Sequence, residues 1–120
     1  MNNQKRILYV DDEHINLVLF QNMFKKHYGV TIAESGMKAL NLLEAMETPD
    51  VVISDMRMPG MNGLEFIASA RVKYPMIDFY ILTGYEITDE IQEALNQGVI
   101  KKYFQKPFKM KEVDAAIAGA

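Results

Sequence analysis

The chain has 120 residues, 49% of them hydrophobic, with no cysteine and a formal net charge of −3. That size suits one compact domain over residues 1–120, burying about two thirds of its unfolded surface, and the apolar content argues against disorder. The missing cysteines rule out a disulfide framework or a zinc–thiolate site, the mild charge offers nucleic acid no bulk field, and no apolar run nears the ~20 residues of a spanning helix.

The N-terminal MNNQKRILYV turns acidic too soon to be a signal peptide, so a short tail leading into a strand is expected. RILYV (6–10) is an apolar run of strand type, and residues 14–27 carry a helical pattern. VTIAE (30–34) is β-branched and strand-like. Ser35 suits the cap of a helix over 36–46, with Ala39, Leu40 and Leu43 on one face. DVVIS (50–54) is apolar without alternation, and Gly60 and Gly63 break the chain before a helix at about 63–72. IDFYILT (77–83) is the next strand. Thr88, Asp89 and Glu90 form a helix start and Gly98 a stop. KKYFQ (101–105) is the last strand and 109–118 the last helix.

Strand and helix thus alternate five times, which predicts an α/β protein with a parallel sheet and helices on both faces. Unalternating strands such as VVIS fit, because central parallel strands are buried on both sides. Ligands of open sheets of this kind bind outside the carboxyl ends of the strands. Asp11 and Asp12 lie just past the first strand and Asp55 just past the third. Thr83 ends the fourth, and Lys106 follows the fifth. Five polar groups from four strands therefore fall on one edge.

Asp11, Asp12 and Glu13 stand side by side after an apolar run. Two like charges ~4 Å apart cost roughly 4 kcal/mol at an effective dielectric near 20. Taken alone, the run could be a solvated helix start, since acids favour helix N-termini, and Glu13 is expected to be only that. Asp55 and Lys106 on the same edge favour a different answer for the pair. A hard cation such as Mg²⁺, which takes carboxylates, water and phosphate, or Mn²⁺ in its place, offsets the repulsion. A carboxylate beside such a cation can serve as a nucleophile for a phosphoryl group. Lys106, the Thr83 hydroxyl and nearby backbone N–H groups would meet the charge on the transferred oxygens.

Four segments then make a resemblance specific: VDDE, SDMRMPGMNG, LTG and KPF, each after a successive strand of the first, third, fourth and fifth. Together they run through nearly the whole chain, which resembles a response-regulator receiver domain of two-component signalling, CheY-like in type. The resemblance implies a doubly wound (βα)5, flavodoxin-like three-layer sandwich with strand order 2-1-3-4-5. It implies that Asp55 is the phosphoacceptor. Asp12, Asp55 and the backbone carbonyl of Arg57 would bind Mg²⁺ directly, with Asp11 acting mostly through water. Lys106 would pair with Asp55 and then with the phosphoryl group, and Lys106–Pro107 would be a cis peptide. Phosphorylation would shift a two-state equilibrium in which Thr83 moves to the phosphoryl oxygen and Tyr103 turns inward. The module would catalyse its own phosphorylation and dephosphorylation without being a turnover enzyme.

The implied partners are a histidine kinase or histidine phosphotransfer protein and a downstream effector domain or protein. A homodimer through the face of the fourth helix, fifth strand and fifth helix is a further expectation, on a face that Lys101 and Lys102 make basic. Direct nucleic-acid binding and membrane association are not expected, and the location implied is cytoplasmic. Arg57 and Tyr85 occupy the family's two variable positions that tune phosphoryl lifetime, and the loop GVIKKY carries one residue more than the family's usual spacing to Lys106.

In the first helix, Ile15, Leu19, Phe20, Met23 and Phe24 share a face at 100° per residue, with Asn16 among them. Val18 falls opposite and Leu17 at the edge. Leu17 and Val18 are therefore expected to be exposed near the acids and to dock the phosphodonor. The methionines of MRMPGMNG are expected to pack, and His14 and His27 have no metal-type partners nearby in sequence. Two rival readings remain. An aspartyl-nucleophile phosphatase of the haloacid-dehalogenase type carries a second acid two residues after the nucleophile, where this chain has Arg57. A receiver fold kept only for protein binding is disfavoured by the intact set Asp11, Asp12, Asp55, Thr83 and Lys106.

Overall fold

The computed structural model describes residues 4–84 and 87–119. Ten elements alternate: β1 (Arg6–Val10), α1 (His14–Phe24), β2 (Gly29–Ala33), α2 (Gly36–Ala45), β3 (Val51–Asp55), α3 (Gly63–Lys73), β4 (Asp78–Thr83), α4 (Asp89–Asn96), β5 (Lys102–Gln105) and α5 (Met110–Ala118). The strands form one sheet in the order β2-β1-β3-β4-β5, and every neighbouring pair is parallel.

The unalternating strands owe their composition to two cores. Successive side chains of a strand point to opposite faces. Ile7, Tyr9, Val51, Ile53, Tyr80, Leu82 and Phe104 pack with α1 and α5 on one face. Leu8, Val10, Val52, Phe79 and Ile81 pack with α2, α3 and α4 on the other. Apolar residues in adjacent positions are thus all buried, and β3 is buried at every position. Met58 lies in the second core, and Met56 and Met61 pack against it, as expected of that loop. Among the described residues no helix is long and apolar enough to cross a membrane.

Local chemistry sets the helix starts. The Ser35 side chain accepts the Lys38 N–H, and Thr88 accepts the Ile91 N–H. At α3, Asn62 accepts the Glu65 N–H while the Glu65 carboxylate accepts the Asn62 N–H, a reciprocal capping box. Gly98 takes a positive φ of 75° where the chain leaves α4.

Three departures from the expected elements have visible causes. β3 begins at Val51, after Asp50, whose carboxylate accepts the Arg6 N–H at 2.9 Å while its own N–H donates to the Arg6 carbonyl. Asp55 pairs with Leu82 of β4 and is the last residue of the strand rather than the first past it. α1 stops at Phe24, whose carbonyl takes N–H donations from both His27 and Tyr28, so the chain turns before the expected end at 27.

The third departure corrects a face. α1 buries Leu17, Phe20 and Phe24, while Ile15 is 70% and Leu19 54% exposed. Leu17 is therefore core and not surface, whereas Val18 is exposed. Apolar residues surround this helix, so periodicity alone does not choose its inner side. The choice is made by Phe20, whose ring stacks on Tyr9 of β1 at 4.1 Å and 7°.

Candidate functional site

β1, β3, β4 and β5 run parallel, so their carboxyl ends meet at one edge of the sheet. Asp11, Asp55 and Thr83 are buried there, at 0%, 8% and 1% exposure, while Asp12 is exposed. Carboxylate oxygens of Asp11, Asp12 and Asp55 all lie within 4.8 Å of one another. Lys106 reaches in from the β5–α5 loop, with Nζ 3.1 Å from Asp55 Oδ1 and 3.6 Å from Asp11 Oδ2. Its backbone N–H donates to the Thr83 carbonyl at 2.7 Å, which ties this loop to β4. The Lys106–Pro107 peptide is cis.

Asp11 is held by further donors. Its Oδ1 accepts the Glu13 N–H at 3.0 Å, and its Oδ2 accepts the Tyr9 hydroxyl at 2.7 Å. Burial, reinforced by the charge of Asp11, pushes the Tyr9 phenol far above its ordinary range, so Tyr9 is a donor here.

The loop after β3 is shaped by close packing. The Met56 N–H donates to the Leu82 carbonyl and the Gly63 N–H to the Met56 carbonyl. A Cβ on Gly63 would stand 2.4 Å from the Asp55 carbonyl oxygen, so only glycine admits the first turn of α3 this near β3. Arg57, on this loop, is exposed.

The electrostatics follow from burial. Three acids face one ammonium. Burial pushes Asp55 up to about 6, the charge of Asp11 adds to this, and Lys106 opposes it. Burial pulls Lys106 down, but the charges of Asp55 and Asp11 outweigh it and hold the ammonium above its ordinary value. The site thus keeps an excess of negative charge on hard oxygen donors, two of them on buried residues. That donor set fits Mg²⁺ and does not fit a soft metal.

The response regulator receiver domain model matches residues 7–118. This chain belongs to that family. The match joins the fold to the edge just described: the receiver domain has five parallel strands in the order 2-1-3-4-5, the flavodoxin-like CheY arrangement seen here. Sporulation initiation phosphotransferase F of Bacillus subtilis is 36% identical over 94% of the chain and 90% of its own length. The DNA-binding transcriptional regulator NtrC of Escherichia coli is 35% identical over 98% of the chain, but this receiver domain spans only 25% of NtrC. The response regulator TrrA of Thermotoga maritima, solved with Mg²⁺ and BeF, superposes with a TM-score of 0.82 at 30% identity, covering 97% of this chain and 98% of that one.

The structure brings together Asp11, Asp12, Asp55 and Lys106, with Thr83 buried at the end of the neighbouring strand. Tyr103 lies further back, beside Ile81 on β5, half-buried against the core beneath α4. Val18 is exposed on α1, Leu17 is not, and Tyr85 lies outside the described residues. Two groups escaped the sequence reading. Tyr9 hides in an apolar strand, where its hydroxyl gives no signal until the fold places Asp11 beside it. Gly63 stood out as a chain break, but its contact with Asp55 depends on the packing of α3.

Proposed function

We propose that residues 1–120 act as one receiver unit that accepts a phosphoryl group on Asp55 from the phosphohistidine of a histidine kinase or histidine phosphotransfer protein. The observation that carries this is Asp55 itself: a buried carboxylate 3.1 Å from Lys106 and grouped with two further acids. In the reaction an Asp55 carboxylate oxygen attacks phosphorus, the P–N bond breaks, and the imidazole leaves with the bonding pair. The product is a mixed carboxylic–phosphoric anhydride.

Asp11, Asp12, Asp55 and the carbonyl of Arg57 would hold Mg²⁺. When bound, it offsets the acids and the charge of the incoming phosphoryl group. Mn²⁺ has the same preference for oxygen and would substitute. Lys106 supplies a second, fixed positive charge at the transferred oxygens. The Asp11 carboxylate is held in place by the Tyr9 hydroxyl and the Glu13 N–H.

The signal leaves through Thr83 and Tyr103. Thr83 moves to donate its hydroxyl to a phosphoryl oxygen, and Tyr103 turns into the space beneath α4. This changes the face of α4, β5 and α5, where an effector domain or a second copy docks. Lys101 and Lys102 are exposed beside that face, with Lys101 paired to Asp78 at 3.3 Å. The phosphodonor docks on the exposed apolar residues of α1, with Val18 joined by Ile15 and Leu19 in place of the buried Leu17. Leu19 also lines a cavity of about 240 Å³ that reaches Lys106, Pro107 and Phe108, so this surface runs to the site.

The test is intact mass after incubation with acetyl phosphate, with and without Mg²⁺, for the wild type and Asp55→Asn. A gain of one phosphoryl group that needs Mg²⁺ and is absent in the variant is expected. A folded wild-type protein that binds Mg²⁺ and gains no mass would overturn the proposal.

A further inference from the structure

We infer that Tyr9 is a positioning residue: its hydroxyl occupies Asp11 Oδ2 and thereby keeps the Lys106 ammonium on Asp55. The inference rests on the reading of the acidic edge given above and adds a group to it. Asp11 is fully buried, so its oxygens depend on protein donors. Oδ1 has the Glu13 N–H at 3.0 Å. Among the described residues, Oδ2 has in reach the Tyr9 hydroxyl at 2.7 Å and the Lys106 ammonium at 3.6 Å. The same ammonium is 3.1 Å from Asp55 Oδ1.

Lys106 therefore stands between two carboxylates and leans toward Asp55. Ammonium–carboxylate hydrogen bonds are shorter and stronger than neutral ones. An Oδ2 without its phenol donor would draw the ammonium in, because a buried carboxylate oxygen left short of donors carries a desolvation cost. Asp55 would then lose its positive partner, and Asp11 would be neutralised by Lys106 and hold a cation less well.

Tyr9 is well placed for this task. Its ring is clamped in the core by the stack on Phe20 at 4.1 Å and by the strand that ends in Asp11, so the hydroxyl has little freedom to leave. The stack also links α1, which carries the exposed apolar residues, to the acidic edge. Tyr80 provides a matched contrast on the same core face. It is a buried tyrosine whose hydroxyl donates a long bond, 3.4 Å, to the Ala116 carbonyl of α5 rather than to an acid of the site.

The experiment compares wild type, Tyr9→Phe and Tyr80→Phe, each checked for folding by thermal melting. Mg²⁺ affinity is read by calorimetry, and phosphorylation by acetyl phosphate is followed across Mg²⁺ concentrations. Tyr9→Phe should bind Mg²⁺ about tenfold more weakly, the loss typical of removing an outer partner of a ligand. Its phosphorylation rate at saturating Mg²⁺ should also fall, by roughly tenfold or more, because Lys106 is misplaced. Tyr80→Phe should match wild type in both. Wild-type values for Tyr9→Phe, or equal losses in the two variants, would overturn the inference.

Wild-type protein labelled with ¹³C at tyrosine Cζ gives a measurement free of mutation. Titration with Mg²⁺ should shift the Tyr9 resonance and not that of Tyr80, and an unmoved Tyr9 would sink the idea even if Tyr9→Phe failed to fold. If the wild type itself neither binds Mg²⁺ nor takes up phosphoryl, the reading of the whole edge falls and this inference with it. If it does both and Tyr9→Phe is indistinguishable, only the role of Tyr9 falls.

Discussion

Asp55→Asn should make the protein more stable in the absence of divalent cations. Burial and the neighbouring Asp11 push the Asp55 carboxyl from its ordinary 3.8 up to about 6, even against the pull of Lys106. Each pKa unit corresponds to about 1.4 kcal/mol, so holding the charged form in the fold costs up to about 3 kcal/mol at pH 7, reduced by the solvent that screens the site. Asparagine keeps the shape and an acceptor for Lys106 but carries no charge. A gain of about 1–3 kcal/mol is expected after allowing for the weaker bond to Lys106.

The sign with pH follows from linkage. The folded carboxyl has the higher pKa, so between about pH 4 and pH 6 the folded state holds more protons than the unfolded state. The contribution of Asp55 to wild-type stability is therefore fully present below pH 4 and lost as pH rises through 6. The gap between variant and wild type should open across that window and stay flat above it. Urea denaturation of both proteins in EDTA at pH 4 and pH 7 reads the gap directly. Millimolar Mg²⁺ should narrow it by stabilising the folded wild type. A variant no more stable than wild type at pH 7 in EDTA, or a gap of equal size at pH 4, would refute the reasoning.

Gly63→Ala places a Cβ 2.4 Å from the Asp55 carbonyl oxygen and 2.9 Å from Ile81 Cδ1, and should cost about 1–3 kcal/mol by overpacking while displacing Asp55. Urea midpoints and acetyl phosphate uptake should fall together; unchanged stability would show that α3 gives way freely. Leu19→Asp should slow transfer from a phosphohistidine donor while leaving acetyl phosphate uptake intact, and equal loss with both donors would exclude a docking role. Leu17→Asp should instead unfold the protein, because it buries a charge beside Phe20 and Phe24, which circular dichroism would report. Asn62→Ala removes one half of a capping box and should lower stability by about 1 kcal/mol, with no change in Mg²⁺ affinity.

Much of this protein was legible in its sequence because the relevant signals are local. Apolar runs of five residues set between helical patterns give the parallel sheet, since strands buried on both faces need no alternation. Ser35 and Thr88 mark helix starts because a cap acts within three residues. Once β and α alternate, the carboxyl edge collects Asp11, Asp12, Asp55, Thr83 and Lys106 whatever the details of packing.

What the tertiary structure alone decided are contacts between elements distant along the chain. α1 is apolar on nearly every side, so its inner face was set by Phe20 meeting Tyr9 rather than by periodicity, and Leu17 went inward while Leu19 stayed out. The contact of Gly63 with the Asp55 carbonyl depends on how α3 lies across β3. The bond from Tyr9 to Asp11 spans only two residues, yet its meaning depends on Lys106 arriving from the far end of the chain. A sequence states which groups a chain owns, and local propensity states where they start; the orientation of one layer on another is fixed only when the cores close.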